Sequence, residues 1–104
     1  MAADARTKRV MRGTILKLTY QKHERQETRF MMRTLMAALD DLAFRVYEDL
    51  VMELLQDLGD RGYLRFTEIK DRKKGTVLIS EIQLTPAGRN IVERINNDPA
   101  VDVE

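Results

Sequence analysis

Four cations crowd into five residues at Lys70, Arg72, Lys73 and Lys74, just ahead of Gly75. The chemistry open to such a cluster is contact with phosphate oxygens, by charge and by hydrogen bonding. A second group of charges has the opposite sign. Asp49, Glu53 and Asp57 recur every four residues, which sets them on one side of a helix with Met52 and Gln56 nearby. Carboxylates can act as general acids or bases or hold a metal, but each use needs a suitably placed partner. The adjacent acids Asp40 and Asp41, and Glu48 and Asp49, point to different faces of a helix and do not make a catalytic pair. The chain has no Cys and a single His, His23, so neither a thiolate site nor an imidazole cluster can be assembled. Gly-rich phosphate loops are absent as well. The residues thus offer no catalytic site, cofactor site or metal site, and His23 is expected to be an ordinary surface residue.

The elements that must carry these charges follow from apolar spacing. Met11, Ile15, Leu18 and Lys22, with Thr14 beside them, form a stripe that predicts a first helix over 10–23. The polar run 21–28 reads as a connector. Met31, Leu35, Ala38, Leu39 and Leu42 predict a second helix over 28–42, with Thr28 as its N-cap. Tyr47, Leu50, Val51, Leu54 and Leu58 share one face of a third helix, ended by Gly59 or Gly62. Only Ala43, Phe44 and Arg45 separate these two helices, so they must turn sharply, with Phe44 plugging the corner. One continuous helix is the alternative, because no breaker intervenes. The β-prone segments 62–70 and 76–84 flank DRKKG as a hairpin, with Leu64 and Phe66, and Leu78, Ile82 and Leu84, at inward positions. Thr85 caps, and Pro86 opens, a last helix that buries Ile91 and Ile95. Residues 1–8 are expected to be flexible, 9–96 to form the domain, and 97–104 to be a loose acidic tail.

A chain of 104 residues, 34% charged and 43% apolar, suits one soluble domain. No apolar run approaches the roughly 20 residues that span a bilayer, and no secretory signal is visible, so a cytoplasmic location is expected. The net charge of +1 conceals blocks of alternating sign: +6 over 1–33, −6 over 34–60, +4 over 61–75 and −3 over 76–104.

The resulting α+β, mainly helical order, α-α-α-β-β-α with a two-stranded wing, resembles the winged helix-turn-helix transcriptional regulators of the MarR, ArsR and PadR kinds. Two phrases carry the resemblance. LQDLGDRGYL (55–64) looks like the end of those families' reading helix as it enters the wing, and LTPAGRNIVE (84–93) looks like the Leu-Thr-x-x-Gly phrase that opens their closing helix. The resemblance implies that 28–42 is the supporting helix, 47–58 the recognition helix and 70–75 the wing tip. It also implies a homodimer, with Val10, Leu16, Tyr20, Ile91, Val92 and Ile95 as candidates for either the interface or the core.

A recognition helix normally offers Arg, Lys, Asn or Gln to bases, whereas this one offers only Gln56 among Asp49, Glu53 and Asp57. Binding of double-stranded DNA is therefore expected from Lys70, Arg72, Lys73 and Lys74 on the wing. Arg29, Arg33 and Arg45 extend the footprint, together with the helix-one bases Arg9, Arg12 and Lys17 and the connector's Arg25. Each feature also has a plainer use: a basic hairpin tip discourages edge pairing, and an acidic face keeps a helix soluble. The competing expectation is a protein-interaction or assembly module, of phage or mobile-element origin, that leaves DNA alone. In it Asp49, Met52, Glu53 and Asp57 meet a partner, and an exposed Met52 favours that contact.

Overall fold

The computed structural model describes residues 4–25 and 31–103. Helix α1 spans Ala5–Glu24, α2 Met32–Asp41, α3 Glu48–Asp60 and α4 Pro86–Val92; strands β1, Leu64–Asp71, and β2, Thr76–Leu84, form one antiparallel hairpin between α3 and α4. The expected α-α-α-β-β-α layout of a winged helix is present. Thr28, expected as a cap, lies outside the described residues; α2 follows Met31 in extended conformation.

Helix α1 is the central element, touching α2, α3, α4 and β2. It begins earlier than its apolar stripe suggests, because the Asp4 carboxylate accepts the Thr7 amide at 2.7 Å and caps it. Residues from Ala5 onward are thus helical, where a flexible start was expected. Met11, Ile15 and Leu16 are fully buried, and the buried hydroxyl of Thr19 donates to the Ile15 carbonyl at 2.8 Å. Leu16 and Ile91 therefore belong to the core and are not free for a dimer interface.

All three helices after α1 end in the same way. Ala43, Gly62 and Arg94 each adopt a left-handed backbone (φ 67°, 81° and 61°). The next residue's amide reaches back to the third-last helical carbonyl: Phe44 to Leu39, Tyr63 to Leu58 and Ile95 to Asn90. This is the Schellman arrangement, for which glycine is the unstrained choice. Only Gly62 meets that preference, and it is Gly62 rather than Gly59 that ends α3. The turn at Ala43 separates α2 from α3, which excludes a continuous helix, and Phe44 packs against the core at the corner as expected.

The buried face of α3 is Leu50, Val51, Leu54, Leu55 and Leu58. Tyr47 lies before the helix and is exposed, a departure from the expected stripe. In α2 the inward residues are Met32, Leu35 and Leu39, while Met31 and Leu42 are exposed. The apolar face is thus rotated slightly from the one read in sequence.

In the hairpin, Leu64 pairs with Leu84 and Arg65 with Gln83, but Thr67 pairs with Ser80. The extra residue on β2 forms a bulge at Glu81, which has φ 54°. A one-residue insertion exchanges the two sheet faces, so Ile79 is buried together with Ile82 and Leu84. Strict alternation predicted Leu78 instead, whose side chain lies outside those described. Phe66 lies over Gly59 on the last turn of α3, anchoring the wing to that helix.

Thr85 and Pro86 start α4 as expected, with the Gly88 amide donating to Thr85 Oγ1 at 3.1 Å. A Cβ at Gly88 would overlap the Tyr63 carbonyl, which is the physical content of the Leu-Thr-x-x-Gly phrase. Ile91 is buried as expected, but Ile95 is 67% exposed, because the chain turns away at Arg94.

The C-terminal segment, expected to be loose, packs on α1. Val101 is buried, the Asp102 amide donates to the Arg9 carbonyl at 3.1 Å, and Arg12 donates to the Ala100 carbonyl at 3.1 Å. Gly13 permits this approach, since any Cβ there would overlap Asp102.

Candidate nucleic-acid interface

The wing tip is built by Asp71. Its carbonyl accepts the Gly75 amide at 2.8 Å, and its carboxylate accepts the amides of Lys73 at 2.9 Å and Lys74 at 3.3 Å. Gly75, at φ 63°, closes the turn. The one acid is folded onto the backbone of its own turn, and Lys70, Arg72, Lys73 and Lys74 are all exposed. Such a tip can reach phosphates or enter a narrow groove, with its cations held by a turn rather than by a floppy chain.

The other expected cations are dispersed. Arg33 is exposed on α2 and Arg45 is exposed in the α2–α3 turn, each on a different element from the wing, and Arg29 lies outside the described residues. Arg12 is not available to a nucleic acid. Its Nε lies 2.8 Å from Asp57 Oδ2, its side chain is 17% exposed, and it also holds the Ala100 carbonyl. The Arg12–Asp57 contact is an ion pair by distance, without the alignment of a hydrogen bond at Nε.

Helix α3 shows where its acids go. Lys8 pairs with Glu53 at 3.0 Å, Arg12 with Asp57, and Arg61 with the same Asp57 oxygen at 3.0 Å. The four-residue step from Lys8 to Arg12 on α1 matches the step from Glu53 to Asp57 on α3, and that equal spacing was the available signal in sequence. Asp49, Gln56 and Asp60 are exposed on the outward side. Met52 is half-buried against the core instead of being exposed among the acids.

His23, expected to be an ordinary surface residue, is half-buried, and Asp98 and Tyr20 make polar contacts that spacing in the sequence does not show. His23 is structural: its Nε2 accepts the Leu84 amide at 3.2 Å, tying the end of α1 to the end of β2. Burial pushes the imidazole below its ordinary value, the nearby Arg89 adds to this, and Glu24 opposes it. Asp98 accepts from the Tyr63 hydroxyl at 2.6 Å, from Arg61 at 3.2 Å and from the Ala100 amide at 2.9 Å. The tyrosine hydrogen bond, with those two helpers, holds the carboxyl below the usual carboxylate range and raises Tyr63 in turn. Tyr20 similarly donates to Glu93 at 2.9 Å beneath the Arg89 guanidinium.

Among the described residues, no group of three or more His, Cys, Asp or Glu side chains is placed to hold a metal ion, and no helix is long and apolar enough to cross a membrane. The elements together define an α+β protein of winged helix-turn-helix layout, with a cationic wing and an acidic third helix. The chain matches no protein-family model, no curated protein and no solved structure.

Proposed function

We propose that the protein binds double-stranded DNA through backbone contacts from its wing, in the manner of a small transcriptional regulator whose third helix does not read the major groove. The observation that carries this reading is the wing turn. Asp71 is occupied by the amides of Lys73 and Lys74, so the tip offers cations outward. By contrast, the outward side of α3 carries Asp49 and Asp60, which phosphates repel within a Debye length of roughly 10 Å. Fluorescence anisotropy with random duplex DNA at low and moderate salt tests it. Binding is expected at low salt and weakens as salt rises. Each phosphate contact contributes about 0.9 to the slope of log affinity against log salt, so replacing Arg72, Lys73 and Lys74 with Ala makes the slope shallower by about 2.7. No binding at low salt overturns the proposal.

The same acidic stripe favours a second reading, a module that docks a basic protein surface on α3. Glu53 and Asp57 are engaged with Lys8, Arg12 and Arg61, so the residues to reverse in its test are Asp49 and Asp60. A complex in sedimentation that persists after Asp49→Lys and Asp60→Lys counts against it.

A further inference from the structure

An open cleft of about 390 Å³ lies between the first half of α1, the end of α4 and the C-terminal segment, within the size range of small-molecule sites. Arg6 and Arg9 line it from α1, Arg94 lines it from the turn after α4, and Asn96 and Asn97 stand beside them. Three arginines lining one concavity are a composition suited to an anion with several oxygens. Two acids share the lining. Asp98 is engaged by Tyr63, Arg61 and the Ala100 amide, and Asp102 alone does not balance three cations. The lining also has an apolar part, in which Pro99 is exposed, Val103 half-buried, and Ile91 and Val101 buried.

Arg94 ends α4 as Ala43 and Gly62 end α2 and α3. It occupies a left-handed position where glycine would be unstrained, and its exposed side chain contributes nothing to the core. None of the lining residues belongs to α2, α3 or the hairpin, so the cleft is distinct from the wing.

We propose that this cleft is a binding site for a small organic phosphate. The guanidinium groups of Arg6, Arg9 and Arg94 hold the phosphate by forked hydrogen bonds, and Pro99 and Val103 receive the apolar body of the ligand. Because the cleft joins α1 to the C-terminal segment, occupancy holds that segment down, and exchange of the Asp102 amide, bonded to Arg9, slows.

Calorimetric titration of the full chain with phenyl phosphate, inorganic phosphate and phenol at fixed ionic strength tests the site. Phenyl phosphate is expected to bind more tightly than either fragment and to raise Tm with concentration. Arg94→Gly keeps the left-handed turn and is expected to lose about tenfold in affinity, with Arg9→Ala losing a similar factor. The variant lacking Arg72, Lys73 and Lys74 retains phenyl phosphate binding, and Arg94→Gly retains DNA binding. No saturable binding of phenyl phosphate, or unchanged affinity in both arginine variants, overturns the proposal. Loss of DNA binding in Arg94→Gly overturns it too, by assigning the cleft to a nucleic-acid phosphate.

Discussion

Arg12 on α1 and Asp57 on α3 form an ion pair of 2.8 Å, and Arg61 approaches the same Asp57 oxygen at 3.0 Å. The acidity of the third helix is therefore partly internal, a seam that fastens α3 to α1. Replacing Asp57 with Asn leaves the mostly buried Arg12 facing a neutral amide. A cost of about 1–2 kcal/mol is expected, more than for a surface pair and less than for a fully buried one. Urea denaturation reads this directly, and a midpoint unchanged from the parent chain contradicts the seam.

Ala43 holds a left-handed turn that favours glycine. Ala43→Gly is expected to stabilise the protein by about 1 kcal/mol, raising Tm by roughly 4–8 °C. Gly62→Ala, at the equivalent position after α3, should move Tm the other way. Thermal melts of the two variants shifting in the same direction would refute this account of the helix ends.

The two close-packed glycines should respond differently. A Cβ at Gly88 meets the Tyr63 backbone, so Gly88→Ala strains the docking of α4 and costs about 1–3 kcal/mol. A Cβ at Gly13 meets the Asp102 backbone, at the margin of the fold. Gly13→Ala is expected to free the C-terminal segment, leaving the rest of the core intact. Limited proteolysis distinguishes them: new cleavage confined to 98–103 in Gly13→Ala, and general loss of resistance in Gly88→Ala.

Stability should depend on pH through His23. The folded imidazole titrates below its ordinary value of 6.5, because burial and Arg89 disfavour its charge and its Nε2 accepts the Leu84 amide. A depressed value means that the contribution is present above the unfolded value and is lost as pH falls through the folded one. A decline in urea midpoint is expected as pH drops below about 6.5, and it should shrink in His23→Gln. Equal declines in both proteins assign the effect elsewhere. Asp98, also depressed, acts in the same sense but only in the more acidic range of carboxylates. Tyr63 is raised by that same hydrogen bond, so its contribution is complete below pH 10.0 and is lost as pH rises through the folded value.

Local signals in the chain determined the kinds and order of elements. Three-to-four spacing identified α1 to α3, Thr85 and Pro86 opened α4, and the turn residues around Gly75 set the hairpin. These features are legible because caps, turns and periodicity act within a few residues of one another. The cationic wing was legible for the same reason. What required the tertiary structure were relationships across long separations: Arg12 with Asp57, His23 with Leu84, Arg9 with Asp102, and the gathering of Arg6, Arg9 and Arg94 around one cleft. The bulge at Glu81, which brings Ile79 inward, belongs with them, since register depends on the partner strand and not on alternation alone. A charged side chain carries no local mark of whether it will face solvent or another helix, so packing alone decided which of the acids on α3 remain open to a partner.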